Sequence, residues 1–89
     1  MNNSLTKKER NHLSLIKSMP CGVCGNPPPS EAHHVRQHMQ WTCIPLCIDC
    51  HRGSLLGIHG QKRAWTLRKV DELDVLNNTI REIIDNAQN

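Results

Sequence analysis

The spacing of apolar and polar residues predicts a helix at each end of the chain. Near the N-terminus, Leu13 and Ile16 form a narrow apolar stripe, and Thr6 with Glu9 has the spacing of a capping box, so we predict a helix over residues 7–18. At the other end, VDELDVLNNTIREIIDNA has the apolar period of a second amphipathic helix. The residues that this period places on one face are Val70, Leu73, Leu76, Ile80 and either Ile83 or Ile84.

Between these helices the pattern predicts turns and short strands. The glycines and prolines of CGVCGNPPPS favour a turn with an extended exit. EAHHVRQH and WTCIPLC follow, and we predict that they pair as a small hairpin-like element with a loop near residues 37–41. The chain is thus predicted to be one α+β domain, residues 1–89. It comprises an N-terminal helix (1–19), a central core (20–70) in which QKRAWTLRK favours a helix, and a C-terminal helix (71–89).

The composition indicates that this small core needs support from metal ions. The chain has 89 residues, no Phe or Tyr and two Trp, so an aliphatic core alone would be thin. It also has five Cys and six His. The odd number of Cys argues against a complete disulfide framework, and neither a signal segment nor a membrane-spanning run of apolar residues is evident. We therefore expect a cytoplasmic protein with reduced thiols.

The charge is unevenly distributed around the core. The net charge is +3, but residues 61–70 carry four cations and no acid, whereas residues 71–89 carry five acids and one Arg. A basic stretch of this kind suits a polyanionic partner such as DNA, although a merely solvated charged face is the alternative. The acidic C-terminal helix is either a docking surface or a solvated helix, and the second interpretation is the simpler one.

Two C-x₂-C pairs predict a structural zinc site. Cys21 and Cys24 form the first pair and Cys47 and Cys50 the second, and a two-residue spacer lets one tight turn present two thiolates to one ion. Zn²⁺ prefers four such ligands in a tetrahedron. Two disulfides or a redox pair are the alternative. The remaining Cys43 is expected to be a small buried apolar residue.

Histidines are interleaved with these cysteines. His33 and His34 lie between the two pairs, His51 directly follows the last cysteine, and His59 lies eight residues further on. Neighbouring side chains on a strand point to opposite faces, so His33 and His34 are predicted to do different jobs. The cluster predicts a second, functional metal centre, although isolated histidines are most often surface or core residues. His38 is expected to be a surface residue.

The motif C-x₂-C … AHHV … PLC-x₂-CH resembles the HNH, or ββα-metal, endonucleases in their zinc-stapled form. The further run GIHGQKRAW is similar to phage-borne members of this superfamily, in particular the RecA-dependent nuclease group associated with recombination enhancement. The resemblance covers roughly residues 20–70. It implies a ββα-metal core stapled by a Cys₄ zinc site with flanking helices, and a metal-dependent DNA endonuclease that hydrolyses phosphodiester bonds in phage or prophage recombination or DNA processing.

The resemblance also implies roles for individual histidines. His34 would be the general base, and His33 and His51 would be ligands of a catalytic divalent ion such as Mg²⁺, Mn²⁺, Ni²⁺ or Zn²⁺. His59 would complete the ligand set or contact the phosphate. The family's middle Asn, which orients the base shortly before the second cysteine pair, is absent, and Thr42 or a backbone carbonyl is the expected substitute.

The implied partners are DNA and a RecA-type recombinase filament, with no membrane contact, in a bacterial host that carries the phage or prophage. The family's helix after the last cysteine pair lies along the DNA. The side chains expected to contact phosphates are Arg36, Arg52, Lys62, Arg63, Arg68 and Lys69. The competing interpretation is a non-catalytic zinc module that binds nucleic acid or a protein partner.

Overall fold

The fold of the chain was analysed in a computed structural model that describes residues 4–53, 57–58 and 71–87. Within these ranges there are three helices and a two-stranded antiparallel sheet, which confirms the α+β class. In chain order the elements are α1 (Lys7–Lys17), β1 (Glu31–His34), β2 (Cys43–Leu46), α2 (Ile48–Arg52) and α3 (Glu72–Ala87). None of these helices has the length and apolar character needed to cross a bilayer. The predicted helical stretch QKRAWTLRK lies outside the described residues.

Helix α1 begins at the predicted capping box. The Thr6 hydroxyl accepts a hydrogen bond from the Glu9 amide (3.1 Å), and the Thr6 amide donates to the Glu9 carboxylate (2.8 Å). These bonds satisfy two amides that have no partner inside the helix. The helix ends at Lys17, one residue earlier than predicted, where Ser18 caps it and turns the chain toward Pro20.

The two strands pair in a register that places His33 and His34 on different faces. His33 lies opposite Ile44, and His34 lies opposite Cys43. The Val35 amide donates to the Thr42 carbonyl (3.1 Å) and closes the pairing before the loop, which agrees with the predicted hairpin. Since successive residues of a strand alternate between faces, the adjacent imidazoles enter different surroundings, as expected.

The same alternation along β2 divides the core into two clusters. Ile44 and Leu46 are both 0% exposed and pack with the cysteine pairs and α3. Cys43, 1% exposed, lies on the other face against Ile16 and Met19 at the end of α1. The expectation that Cys43 is a buried apolar residue is therefore confirmed. The sheet is thus covered on both faces, although it has only two strands.

The buried face of α3 differs from the predicted face. Leu76 is buried as predicted, but Val75 and Thr79 occupy the other buried positions, while Val70 lies outside the described residues. Of the two alternatives at the end of the period, Ile83 is partly buried and packs against the second core cluster, whereas Ile84 is 50% exposed. Leu73 (68%) and Ile80 (43%) are exposed, contrary to the prediction. The reason is a close approach: Val75 Cγ1 lies 2.6 Å from the point that a Cβ on Gly22 would occupy. Only glycine lets the helix pack so closely on the first cysteine turn.

We predict that Leu46→Ala lowers the free energy of unfolding by about 2–5 kcal/mol, because it leaves a cavity between the sheet and α3. Chemical denaturation at a fixed zinc concentration measures this change. Ile48→Ala is the matched control, since Ile48 is only two residues away but 60% exposed, and it should change stability by less than about 0.5 kcal/mol. Equal losses in the two variants would contradict the packing described for β2.

Candidate metal centre and histidine site

Four cysteines from distant parts of the chain converge on one point. The sulfurs of Cys21, Cys24, Cys47 and Cys50 all lie within 4.8 Å of one another, and those of Cys24 and Cys47 are 3.6 Å apart. A tetrahedral zinc with bonds of about 2.3 Å would hold its sulfurs roughly 3.8 Å apart. None of the five cysteines forms a disulfide, which would need about 2.05 Å. The cluster can therefore hold a structural metal such as zinc.

The local backbone prepares these sulfurs for a cation. The Cys50 amide donates to Cys47 Sγ (3.5 Å) in the turn that starts α2. Burial raises the pKa of the Cys21 thiol, but backbone hydrogen bonds from Cys24, Cys47 and Val23 outweigh burial and bring it down to about 7. Burial raises the pKa of Cys50, since desolvation disfavours its thiolate. Amides aimed at sulfur, together with crowded thiols, fit a zinc ion that neutralises the thiolates.

His33 and His51 form the centre of a second group beside this cluster. Their ring centroids are 5.1 Å apart, the ring planes meet at an angle of 75°, and His33 is only 6% exposed. His51 directly follows Cys50, one of the four clustered cysteines. The cysteine turn at the start of α2 therefore fixes the position of this imidazole. His59, the third predicted ligand, lies outside the described residues. The structure thus brings together two of the three predicted imidazoles.

Each of these two imidazoles contacts a carboxylate. His33 Nε2 lies 2.7 Å from Glu72 Oε2 at the start of α3, and His51 Nδ1 lies 2.8 Å from Glu31 Oε1. The His51 hydrogen bond lowers the pKa of Glu31 below its ordinary value, with a smaller contribution from Arg52 at 2.6 Å, while burial opposes it. A carboxylate on one ring nitrogen fixes the orientation of the ring, as at metal-bound histidines.

His34 is held by a different kind of partner. Its Nε2 lies 2.7 Å from Gln40 Oε1, and an amide oxygen can only accept, so Nε2 carries the hydrogen. Nδ1 is then the nitrogen with a lone pair, and His34 makes no other side-chain hydrogen bond within the described residues. Gln40, rather than the expected Thr42, holds this imidazole; the Thr42 hydroxyl donates weakly to the Met39 carbonyl (3.4 Å). An imidazole in this tautomer can accept a proton through Nδ1.

The histidines meet at one cavity of about 560 Å³. Its walls consist of β1, the loop after it and α2, and the lining residues are Ala32, His33, His34, Gln37, His38, Gln40 and His51. His38, exposed as expected, has a left-handed backbone (φ 69°) in a turn closed by the Met39 amide and the Arg36 carbonyl (3.1 Å). This turn returns the chain so that Gln40 faces His34.

Two of the six predicted DNA-contacting residues lie in the described part of the chain. Arg36 is exposed in the loop beside the cavity, and Arg52 is exposed but paired with Glu31. The other four predicted contacts, Lys62, Arg63, Arg68 and Lys69, lie outside the described residues. The basic stretch therefore stays a prediction.

Sequence reasoning missed three partners of the histidines: Glu31, Gln40 and Glu72. Glu72 lies 39 positions from His33. Nothing in the local sequence indicates a contact over that distance, since it depends on how α3 docks. Gln40 gave a weak signal, because it is a polar residue in the short loop that follows His34. Glu31 precedes His33 by two positions and so has the same strand face, which is the signal that could have found it.

We predict that the purified chain binds one zinc ion tightly and that Cys24→Ser loses it. Cys24 is the exposed cysteine of the four, so this change removes a ligand and little packing. Metal analysis and circular dichroism measure both effects, and a strong chelator should unfold the wild type. Cys43→Ala is the control and should retain zinc. Loss of zinc in that control, or full zinc in Cys24→Ser, would contradict the proposed ligand set.

We also predict that Gln40→Ala weakens the preference of His34 for the Nε2–H tautomer. A hydrogen bond contributes about 1 kcal/mol, which corresponds to roughly a fivefold bias between tautomers. Nitrogen-15 chemical shifts of the His34 ring measure this bias. Gln37→Ala is the matched control, because Gln37 lines the same cavity without bonding His34. An unchanged tautomer in Gln40→Ala would show that Gln40 does not hold the ring.

Comparisons with known proteins identify no relative of this chain, so the site is interpreted from the chain's own residues. No protein-family model matches the sequence, and no curated protein or solved structure is significantly similar to it. What can be said of the chain's chemistry therefore follows from its own arrangement. It is an α+β fold in which four cysteines can hold a metal such as zinc, and in which four histidines line one cavity.

Proposed function

We propose that the chain is a metal-dependent DNA endonuclease of the HNH type. The observation that carries the proposal is the division of roles between neighbouring imidazoles. His33 and His51 lie together and are each oriented by a carboxylate, while His34 is oriented by an amide and borders the same cavity. The order of two strands and a short helix after the first cysteine pair also suits a ββα-metal core.

His34 acts as the general base in this proposal. With Nε2 donating to Gln40, Nδ1 receives a proton from the attacking water. Imidazole suits this role near neutral pH, because its ordinary pKa is about 6.5. Gln40 keeps the ring in the reactive tautomer and supports the imidazolium that forms. It thus takes the orienting role of the family's middle Asn, which this sequence lacks.

His33 and His51 would hold the catalytic divalent ion in this proposal, and His59 would complete the ligand set or contact the phosphate. Glu72 and Glu31 keep the two described rings in position. Such an ion supplies positive charge at the scissile phosphate and at the leaving oxygen. Imidazole ligands favour Mn²⁺, Ni²⁺ or Zn²⁺ over Mg²⁺ in affinity.

The four-cysteine cluster has a structural role in this proposal. It fixes the first turn of α2, and thereby His51, relative to β1, which carries His33 and His34. The DNA backbone lies beside the cavity, with Arg36 and the basic stretch 61–70 neutralising phosphates. A RecA-type recombinase filament on phage or prophage DNA inside a bacterial cell is the proposed setting.

The test is cleavage of supercoiled and single-stranded DNA by the purified chain in Mg²⁺, Mn²⁺, Ni²⁺ or EDTA. We predict metal-dependent nicking that His34→Ala reduces about 10²–10⁴-fold, since a general base contributes that much. His38→Asn is the matched control, because His38 lines the same cavity and Asn tolerates its left-handed backbone. It should cleave like the wild type.

Cleavage that survives His34→Ala would remove the assignment of the base. If no metal supports cleavage, the assay is repeated on DNA coated with a RecA-type recombinase. Continued absence of cleavage would leave the non-catalytic zinc module, which binds nucleic acid or a protein without processing it, as the function.

A further inference from the structure

A second cavity adjoins the histidine cavity on the far side of His51. It has a volume of about 510 Å³ and shares Ala32 and His51 with the first cavity. Its other walls come from the end of α1, the entry to β1 and the start of α2; the residues are Lys17, Pro29, Ser30, Glu31, Ile48 and Arg52. The two cavities therefore adjoin at Ala32 and His51, and we call them together the groove and each of them a section of it.

The charges in this second section leave Lys17 as its main source of positive potential. The section has two cations, Lys17 and Arg52, and one carboxylate, Glu31. Arg52 Nη2 lies 2.6 Å from Glu31 Oε2, and His51 bonds the other oxygen of that carboxylate. Glu31 is thus engaged on both oxygens and offsets much of the charge of Arg52. No described ion pair involves Lys17.

The position of Lys17 is set by the backbone. The Ser30 amide donates to the Lys17 carbonyl (2.9 Å), and the buried Ser30 hydroxyl donates to the Met19 carbonyl (2.6 Å). These bonds attach the end of α1 to the residue that precedes β1. Lys17 therefore stays beside the groove, whereas the other cations of α1, Lys7, Lys8 and Arg10, do not line it.

We infer that Lys17, assisted by Arg52, binds a phosphate of the DNA backbone flanking the one that lies over the histidines. The inference rests on the proposed function and extends its contact surface to α1, which the sequence pattern had not connected with DNA. The backbone of one strand crosses β1 from the histidine cavity, passes His51 and enters the second section. Contacts of this kind position the strand without reading its bases.

The experiment measures binding in a His34→Ala background, so that the DNA is held but not cut. A short fluorescein-labelled duplex is titrated by anisotropy over a series of salt concentrations. Lys17→Gln should weaken binding roughly three- to tenfold at low salt and reduce the salt slope by about 1, the value for one lost phosphate contact. It keeps the carbonyl that Ser30 uses, so zinc content and circular dichroism should not change.

Lys8→Gln is the matched control, since it removes the same charge from an exposed position of the same helix outside the groove. If Lys17→Gln and Lys8→Gln bind alike, the inference is wrong, whatever the wild type cleaves. If Lys17→Gln alone is defective while the wild type fails to cleave DNA, the phosphate site stands and the nuclease proposal fails. Arg52→Gln is not used, because it would also release Glu31 from its ion pair.

Discussion

The convergence of four sulfurs is the constraint on which the rest of the structure depends. Two sequence segments, each with a pair of cysteines, meet within 4.8 Å, and the chain has no Phe or Tyr to fill a larger core. In a domain of this size, metal binding contributes directly to the free energy of folding. The cysteine turns also hold Gly22 under α3 and Cys50 at the base of α2. Helix α2 therefore begins at the cluster, and α3 packs against it.

The histidine group illustrates how three elements combine in one site. Strand β1 supplies His33 and His34 on different faces, α2 supplies His51, and α3 supplies the carboxylate of Glu72. Two of these elements are short, since β1 has four residues and α2 has five. The orientation of each ring depends on a hydrogen bond to a side chain from elsewhere, so the geometry reflects the packing of the whole domain.

The sequence predicted what local chemistry determines. The capping box gave the start of α1, the paired cysteines gave the cluster, and the β-type segments gave the hairpin. It did not predict what depends on docking. The buried face of α3 includes the predicted Leu76 but is rotated toward Val75, because Val75 is selected by its contact with Gly22 rather than by periodicity alone. For the same reason Glu72, the partner of His33, could not be predicted from spacing, whereas Gln40 gave a weak signal and Glu31, the partner of His51, could have been found.

The contact between Glu72 and His33 also has a consequence for the order of folding. It joins positions 39 residues apart, so the whole segment between them must fold back before the contact forms. Contacts of such long sequence separation form late, after local helices and hairpins. Among the described elements, α3 follows the cysteine turns and the hairpin in chain order. The first cysteine turn and the hairpin can therefore form before His33 acquires its carboxylate, and the histidine cavity is completed only when α3 docks.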